Sequence, residues 1–248
     1  MNNGFIAVFD SGIGGISVLN ELIRLMPNER YIYFGDNKNA PYGNRTEYEL
    51  LTMALRNVEY VKSLGAKLVV IGCNTLSVTV LDKIRYYADI PVFAVFPPVE
   101  KALLENGKIL LLATTRTAEK YKGVEGVCAV GLRTLARDIE HNALNLSRVD
   151  VNSALNQTED KFIDEIGYYD TVILGCTHYF FVKNKIFDHF RPQKISSGEL
   201  FTASIVKKYL QCNKSLVNNK GFELLFVGDN SQFNKEFFSK SGQNILKF

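Results

Sequence analysis

The chain has 248 residues, 46% of them hydrophobic, with 29 Lys and Arg against 26 Asp and Glu. That length and apolar share suffice for a sizeable core, in one large domain or two smaller ones, while an evenly spread formal charge of +3 offers no basic face and argues against a nucleic-acid partner. No run approaches the roughly 18 apolar residues of a membrane span, no signal peptide opens the chain, and Cys73, Cys128, Cys176 and Cys212 stand singly, so that a cytoplasmic protein with reduced thiols is expected, without membrane, disulfide framework or zinc ribbon.

In chain order the sequence predicts strands at 5–10 (FIAVFD), 31–36 (YIYFGD), 68–73 (LVVIGC), 91–96 (PVFAVF), 108–114 (KILLLAT), 127–132 (VCAVGL), 171–176 (TVILGC) and 223–228 (ELLFVG). Helices are expected to open near Gly14, Thr46, Asn74, Pro97, Thr117 and Thr177, and Thr46 with Glu49 fits a capping box. Short Val, Ile and Leu runs alternating with helical spacing predict an α/β fold with parallel strands covered on both faces.

Two stretches match. GFIAVFDSGIGG and GKILLLATTRTA are each a strand followed by a small or polar turn, and each precedes a strand ending in Gly-Cys. Asp10 lies 63 residues before Cys73 and Thr114 lies 62 before Cys176. The expectation is therefore two similar three-layer α/β domains with largely parallel sheets, related by pseudo-twofold symmetry. The first spans 1–95 plus 206–248 and the second 96–205. Their strand C-termini face a shared cleft, the end at which α/β sheets bind ligands.

The turn Asp10-Ser11-Gly12-Ile13-Gly14-Gly15 is not a dinucleotide fingerprint, because the third glycine of G-x-G-x-x-G falls on Ser17. It suits an anion site instead, where glycines let backbone N–H groups approach a carboxylate or phosphate. Asp10 does not help bind an anion, so its place beside Ser11 points to proton handling. Cys73 and Cys176 each precede a polar helix opening, a setting that favours thiolate. Such a pair permits a zinc site with His178, a redox couple, or proton transfer on opposite faces of one carbon; metal-ligand spacings are missing, and a substrate held between the sulfurs keeps them from bonding. Cys128 and Cys212 read as plain small hydrophobes, His141 and His189 as solvated helix residues, and Asp36 as a strand-end cap.

The segments VFDSGIGGISVL, YFGDNKNAPYGNRT, VVIGCNTLS, ATTRTA and VILGCTHY, in this order and spacing, resemble the glutamate racemases of the cofactor-independent aspartate/glutamate racemase superfamily along nearly the whole chain. The resemblance implies that Cys73 and Cys176 are two catalytic bases, assisted by Asp10 and His178 respectively. It further implies that Ser11, Pro41, Tyr42, Gly43, Asn74, Thr75 and Thr177 bind the amino acid, that Thr114, Thr115 and Thr117 lie near it, and that Glu140 supports the histidine. No cofactor or metal is implied. Glutamate is the implied partner, a homodimer the implied assembly, and D-glutamate for bacterial peptidoglycan the implied product. The segment AVGLRTLARDIEHN lacks the Phe-Val-Pro-Leu run of many members, and Ser196 stands where many carry aspartate.

Overall fold

The structure is a computed structural model describing residues 4–105, 107–158, 168–218 and 220–245; the outermost ends of the first expected unit, 1–3 and 246–248, lie outside the described residues. Among the described residues all strand pairings are parallel and fall into two sheets. One holds β1 (Phe5–Asp10), β2 (Arg30–Gly35), β3 (Ala66–Ile71), β4 (Val92–Ala94) and β9 (Glu223–Val227) in the order β4-β3-β1-β2-β9. The other holds β5 (Ile109–Ala113), β6 (Val127–Gly131), β7 (Thr171–Gly175) and β8 (Lys194–Ser196) in the order β6-β5-β7-β8. Read from the opposite edge, the second sheet repeats the first four strands in the same arrangement: β8-β7-β5-β6 against β4-β3-β1-β2.

The central strands β1, β3, β5 and β7 are buried at every position, which their Val-, Ile- and Leu-rich composition requires when helices cover both sheet faces. Register then sets up the site. Phe9 pairs with Ile71, so Asp10 and Cys73 leave neighbouring strand ends; Ala113 pairs with Gly175, so Thr114 and Cys176 do the same in the second sheet.

The helices are α1 (Ile16–Leu25), α2 (Glu47–Ser63), α3 (Asn74–Tyr87), α4 (Val99–Leu103), α5 (Thr115–Glu119), α6 (Leu135–His141), α7 (Val151–Asn156), α8 (Lys183–Phe190), α9 (Glu199–Cys212) and α10 (Ser231–Ile245). The expected capping box starts α2: Thr46 N–H donates to Glu49 Oε2 at 2.8 Å and Glu49 N–H to Thr46 Oγ1 at 3.3 Å. The predicted 91–96 strand shortens to β4, whose edge position pairs only three residues. Thr177 opens a 3-10 segment to Val182, and the α-helix begins only at Lys183. Helices α6, α7, α9 and α10 and the three-residue strand β8 were not predicted. α9 begins after Gly198 and packs along α1, so position 206, the expected point of return to the first unit, lies inside a continuous helix.

The two halves share one core. A single apolar cluster runs from Ile6 and Val8 of β1 through Leu19 and Leu22 of α1 to Leu110 and Leu112 of β5, Tyr179, Ala203 and Phe237. Phe181 meets Phe237 of α10 edge-on at 4.8 Å, so the C-terminal helix covers both halves. Separate clusters lie beneath α2 and α3 and beneath α4 and α5. The return segment is fastened by a buried pair: Lys67 Nζ lies 2.5 Å from Glu29 Oε2 and 2.6 Å from the Leu216 carbonyl, while Asn218 N–H donates to Glu29 Oε1 at 3.1 Å.

The two crossings between the halves run side by side, and a Cβ on Gly198 would sit 2.1 Å from the Phe96 carbonyl oxygen. Backbone must move to relieve such a contact, so Gly198→Ala is expected to destabilise the fold by about 2 kcal/mol. Urea unfolding measures this, and an unchanged midpoint would contradict it.

Candidate active site

The first half of the site is built on β1 and β3. Cys73 is the N-cap of α3, 5% exposed, and the Leu76 N–H of the first helical turn faces its sulfur. That donor favours the thiolate, but burial, followed by the nearby Asp10 carboxyl, pushes the thiol well above its ordinary range. Asp10 is fully buried; burial raises its carboxyl, against the opposing pull of the His178 charge, the Ser11 N–H at 2.6 Å and the Thr177 hydroxyl at 3.0 Å.

The second half is built on β7 and α6. Cys176, 7% exposed, caps the 3-10 segment, and its sulfur lies 3.8 Å from His178 Nδ1. His178 Nε2 lies 2.7 Å from Glu140 Oε2 on α6. Burial alone would push the imidazole down, but its bonds to Cys176 and Glu140 outweigh this and raise it well above the ordinary histidine range. Glu140 shows the reciprocal balance: burial would raise it, yet the hydrogen bond and charge of His178, the Ile13 N–H and the Asn37 amide hold it below the ordinary value. Cys176, His178 and Glu140 thus form a three-member chain of contacts.

The glycine turn binds an anion, and the anion is internal. Ile13 N–H donates to Glu140 Oε2 at 3.0 Å, and a Cβ on Gly12 would meet that carboxylate at 2.3 Å. A Cβ on Gly14 would meet Thr177 Oγ1, His178 Nδ1 and Asp10 Oδ2 within 2.6 Å. These missing side chains allow the two halves to approach.

One cavity of about 90 Å3 gathers Asp10, Ser11, Pro41, Tyr42, Gly43, Cys73, Asn74, Thr75, Thr114, Cys176, Thr177, His178 and Glu140. Thr75 Oγ1 and Thr114 Oγ1 meet across the halves at 3.0 Å, and Gly43 packs on Thr114. Two expected members lie elsewhere. Thr117 is buried behind Thr114, whose hydroxyl donates to it at 3.1 Å, and Thr115 packs against the Gly131 backbone because its position starts α5 and turns it from the cavity. The Tyr42 hydroxyl donates to Asp36 Oδ2 at 2.6 Å, so Asp36 serves the loop rather than merely ending a strand. Asn74 Oδ1 is buried without a partner.

The cavity wall also includes Asn37, Ala40, Ala136, Arg137 and His141, which sequence reasoning missed. Asn37 and Ala40 lie in a polar loop with no periodicity, while Ala136, Arg137 and His141 depend on α6, a helix that short apolar spacing did not signal. Exposed His141 reaches the cavity because it follows Arg137 by one helical turn. Among the described residues, no three His, Cys, Asp or Glu side chains converge as metal ligands, and Cys73 and Cys176 are free thiols.

Residues 14–204 match the family model described as Asp/Glu/Hydantoin racemase. A glutamate racemase of Clostridium perfringens (strain SM101 / Type A) is 36% identical over 247 residues, covering 94% of this chain and 92% of the relative. Among solved structures, a glutamate racemase from Francisella tularensis subsp. tularensis SCHU S4 in complex with D-glutamate superposes with TM-score 0.79 at 25% identity, covering 97% of this chain and 95% of that one. A glutamate racemase isoform from Bacillus anthracis gives TM-score 0.79 at 27% identity, with coverage of 100% and 96%.

The opposite shifts of Glu140 and His178 define a pH window for stability. A raised His178 stabilises the fold fully below its unfolded value of about 6.5 and loses that contribution as pH rises through the folded value. A depressed Glu140 stabilises it above about pH 4.5 and loses that contribution as pH falls through the folded value. The stability advantage of wild type over Glu140→Gln is therefore expected to peak between about pH 5 and 6.5 and shrink on both sides. Urea unfolding across pH tests it; a pH-independent difference would contradict the ion pair.

Proposed function

The chain belongs to the Asp/Glu/hydantoin racemase family and is an isomerase of the cofactor-independent kind, and from that premise we propose that it interconverts L- and D-glutamate by two-base proton transfer between Cys73 and Cys176. One observation carries the reading. Two buried thiols from equivalent strand ends of two sheets line one cavity, each with its own proton-handling neighbour.

Inverting a stereocentre beside a carboxylate needs a base on one face and an acid on the other. Burial and Asp10 keep the proton on Cys73, while the raised His178 places a cation beside Cys176, so the Cys176–His178 side starts as the base. The sulfur of Cys176 takes the α-proton, the electron pair left at Cα delocalises into the substrate carboxylate, and Cys73 returns a proton to the opposite face. The proton count is conserved and the sulfurs exchange roles, so the reverse reaction runs from the resulting state.

A thiolate is too weak to remove an amino-acid α-proton without help. Donors that bind the carboxylate more strongly as its charge grows supply that help in a water-poor cavity. Ser11, Thr75, Thr114 and Thr177 bring hydroxyls to the wall that must turn from their present acceptors (Asp10, Thr114 and Thr117) to donate to the carboxylate, and the partnerless Asn74 Oδ1 suits the substrate ammonium as an acceptor. Pro41, Tyr42 and Gly43 shape the wall. Thr117 supports it from behind through its hydrogen bond with Thr114, while Thr115 faces Gly131.

The same reading includes a homodimer, a cytoplasmic setting and D-glutamate as a peptidoglycan precursor; no helix among the described residues is long and apolar enough to cross a membrane. It divides the chain at the two crossings near Phe96 and Gly198, with α9 joining the first unit.

Wild-type protein in deuterated buffer is expected to exchange the α-proton of both glutamate enantiomers and racemise them. Cys73→Ser and Cys176→Ser should each lower racemisation by about 10²–10⁴-fold. NMR with polarimetry reads both quantities. Racemisation of aspartate without glutamate would overturn the substrate, and absence of exchange with any small amino acid would mark a silent binding protein.

A further inference from the structure

We propose that Asn37, held by Asn234, is a positioning residue for the Cys176 side: it clasps the Glu140 carboxylate to the first half of the molecule and so makes the His178–Cys176 pair competent when the cleft is closed. The inference rests on the racemase reading for its kinetic consequence and on geometry alone for the clasp.

Glu140 rides on α6 in the second half, but only one of its three donors, His178 Nε2, belongs to that half. The Ile13 N–H and the Asn37 side-chain amide come from the first half, from the loops after β1 and β2. Chemistry fixes the amide's orientation. An ionised carboxylate only accepts hydrogen bonds, so Asn37 must present Nδ2 to Glu140 Oε1. Its Oδ1 then faces away and accepts from Nδ2 of Asn234 at 3.0 Å. Asn234 is completely buried on α10, so it holds the loop amide from behind.

The backbone is cleared for this chain of contacts. A Cβ on Gly35 would meet Asn234 Nδ2 at 2.7 Å and Asn37 Oδ1 at 2.9 Å, and one on Gly12 would strike the Glu140 carboxylate at 2.3 Å. Glycine at both positions lets Asn234, Asn37 and Glu140 line up. Separating the halves breaks both first-half bonds to Glu140 together, leaving it only His178 and water. In the closed form burial favours a neutral Glu140, and the donors offset it. Without Asn37 burial regains ground, Glu140 becomes a poorer partner for a charged His178, and the imidazolium beside Cys176 is less favoured. Cys176 and Asp10 act on this pair, Tyr33 lies close to Glu140, and Arg137 and His141 of the same helix line the same cavity.

The test compares wild type with Asn37→Ala, Asn37→Asp and Asn234→Ala. The first readout is the His178 ring titration by NMR without substrate: its midpoint should fall in Asn37→Ala, and less in Asn234→Ala. The second uses α-deuterated L- and D-glutamate. Equal stability of the enantiomers forces equal kcat/KM in the two directions, so the diagnostic is the isotope effect rather than the rate ratio. Asn37→Ala should lower kcat/KM about 10- to 100-fold, as expected for losing a hydrogen bond to a charged group. The isotope effect should rise for the enantiomer deprotonated by Cys176 and fall for the other.

Asn37→Asp preserves shape but removes the donor. Its deficit relative to wild type should shrink as pH falls, because the introduced carboxyl, once protonated, donates to Glu140 again. An unchanged His178 midpoint, or a loss with isotope effects unchanged for both enantiomers, would refute the clasp while leaving the racemase reading intact. A wild type inert toward glutamate would instead refute the racemase reading, and the His178 titration would still decide the clasp.

Discussion

A buried carboxylate seated on the backbone of a glycine turn sets the geometry of this molecule. Glu140 reaches out of the second half and is received by the Ile13 N–H over a Gly12 that has no side chain to obstruct it. An unpaired carboxylate in this position would cost several kcal/mol. The halves must therefore meet closely enough to satisfy it, and Gly14 permits the same closeness between Asp10, Thr177 and His178. The placement of both cysteines in one cavity follows from that contact and from the core shared beneath it.

Topology repeats while chemistry does not. β1 and β3 correspond to β5 and β7, and a cysteine follows each second strand. The surroundings then diverge: Cys73 is buried against a carboxyl and the first turn of a 14-residue α-helix, whereas Cys176 meets an imidazole at the head of a short 3-10 segment. Burial disfavours charge on both sides, and different compensating groups decide where a proton rests. A reaction requiring unlike protonation on two faces of one carbon is served by such a duplicated frame with unequal neighbours.

The later part of the chain joins the duplicated units into one body. α9 returns to pack on α1, α10 covers both halves through Phe237, and the Lys67–Glu29 pair fastens the segment between them. The two crossings at Phe96 and Gly198 pack directly against each other, so they are where the halves would turn if the cleft opened. Opening there would separate Glu140 from its first-half donors.

Much was legible in the sequence because strong local patterns carried it. Eight of the strands, the capping box of α2, the repeated Gly-Cys step and its near-equal spacing all follow from side-chain periodicity and turn chemistry. The short edge strand β8 and helices α6, α7, α9 and α10 were not legible, since their apolar faces make sense only against partners distant in the chain. The same limit applied within the site: Asn37, Arg137 and His141 carry no local signal, and Thr115 and Thr117 looked equivalent to Thr114 until α5 turned them away. The sequence by itself determined the α/β alternation and the two candidate thiols. Tertiary structure alone decided which anion the glycine turn holds, because a carboxylate 127 residues away supplies it, and long-range contacts depend on where the folded backbone brings residues together.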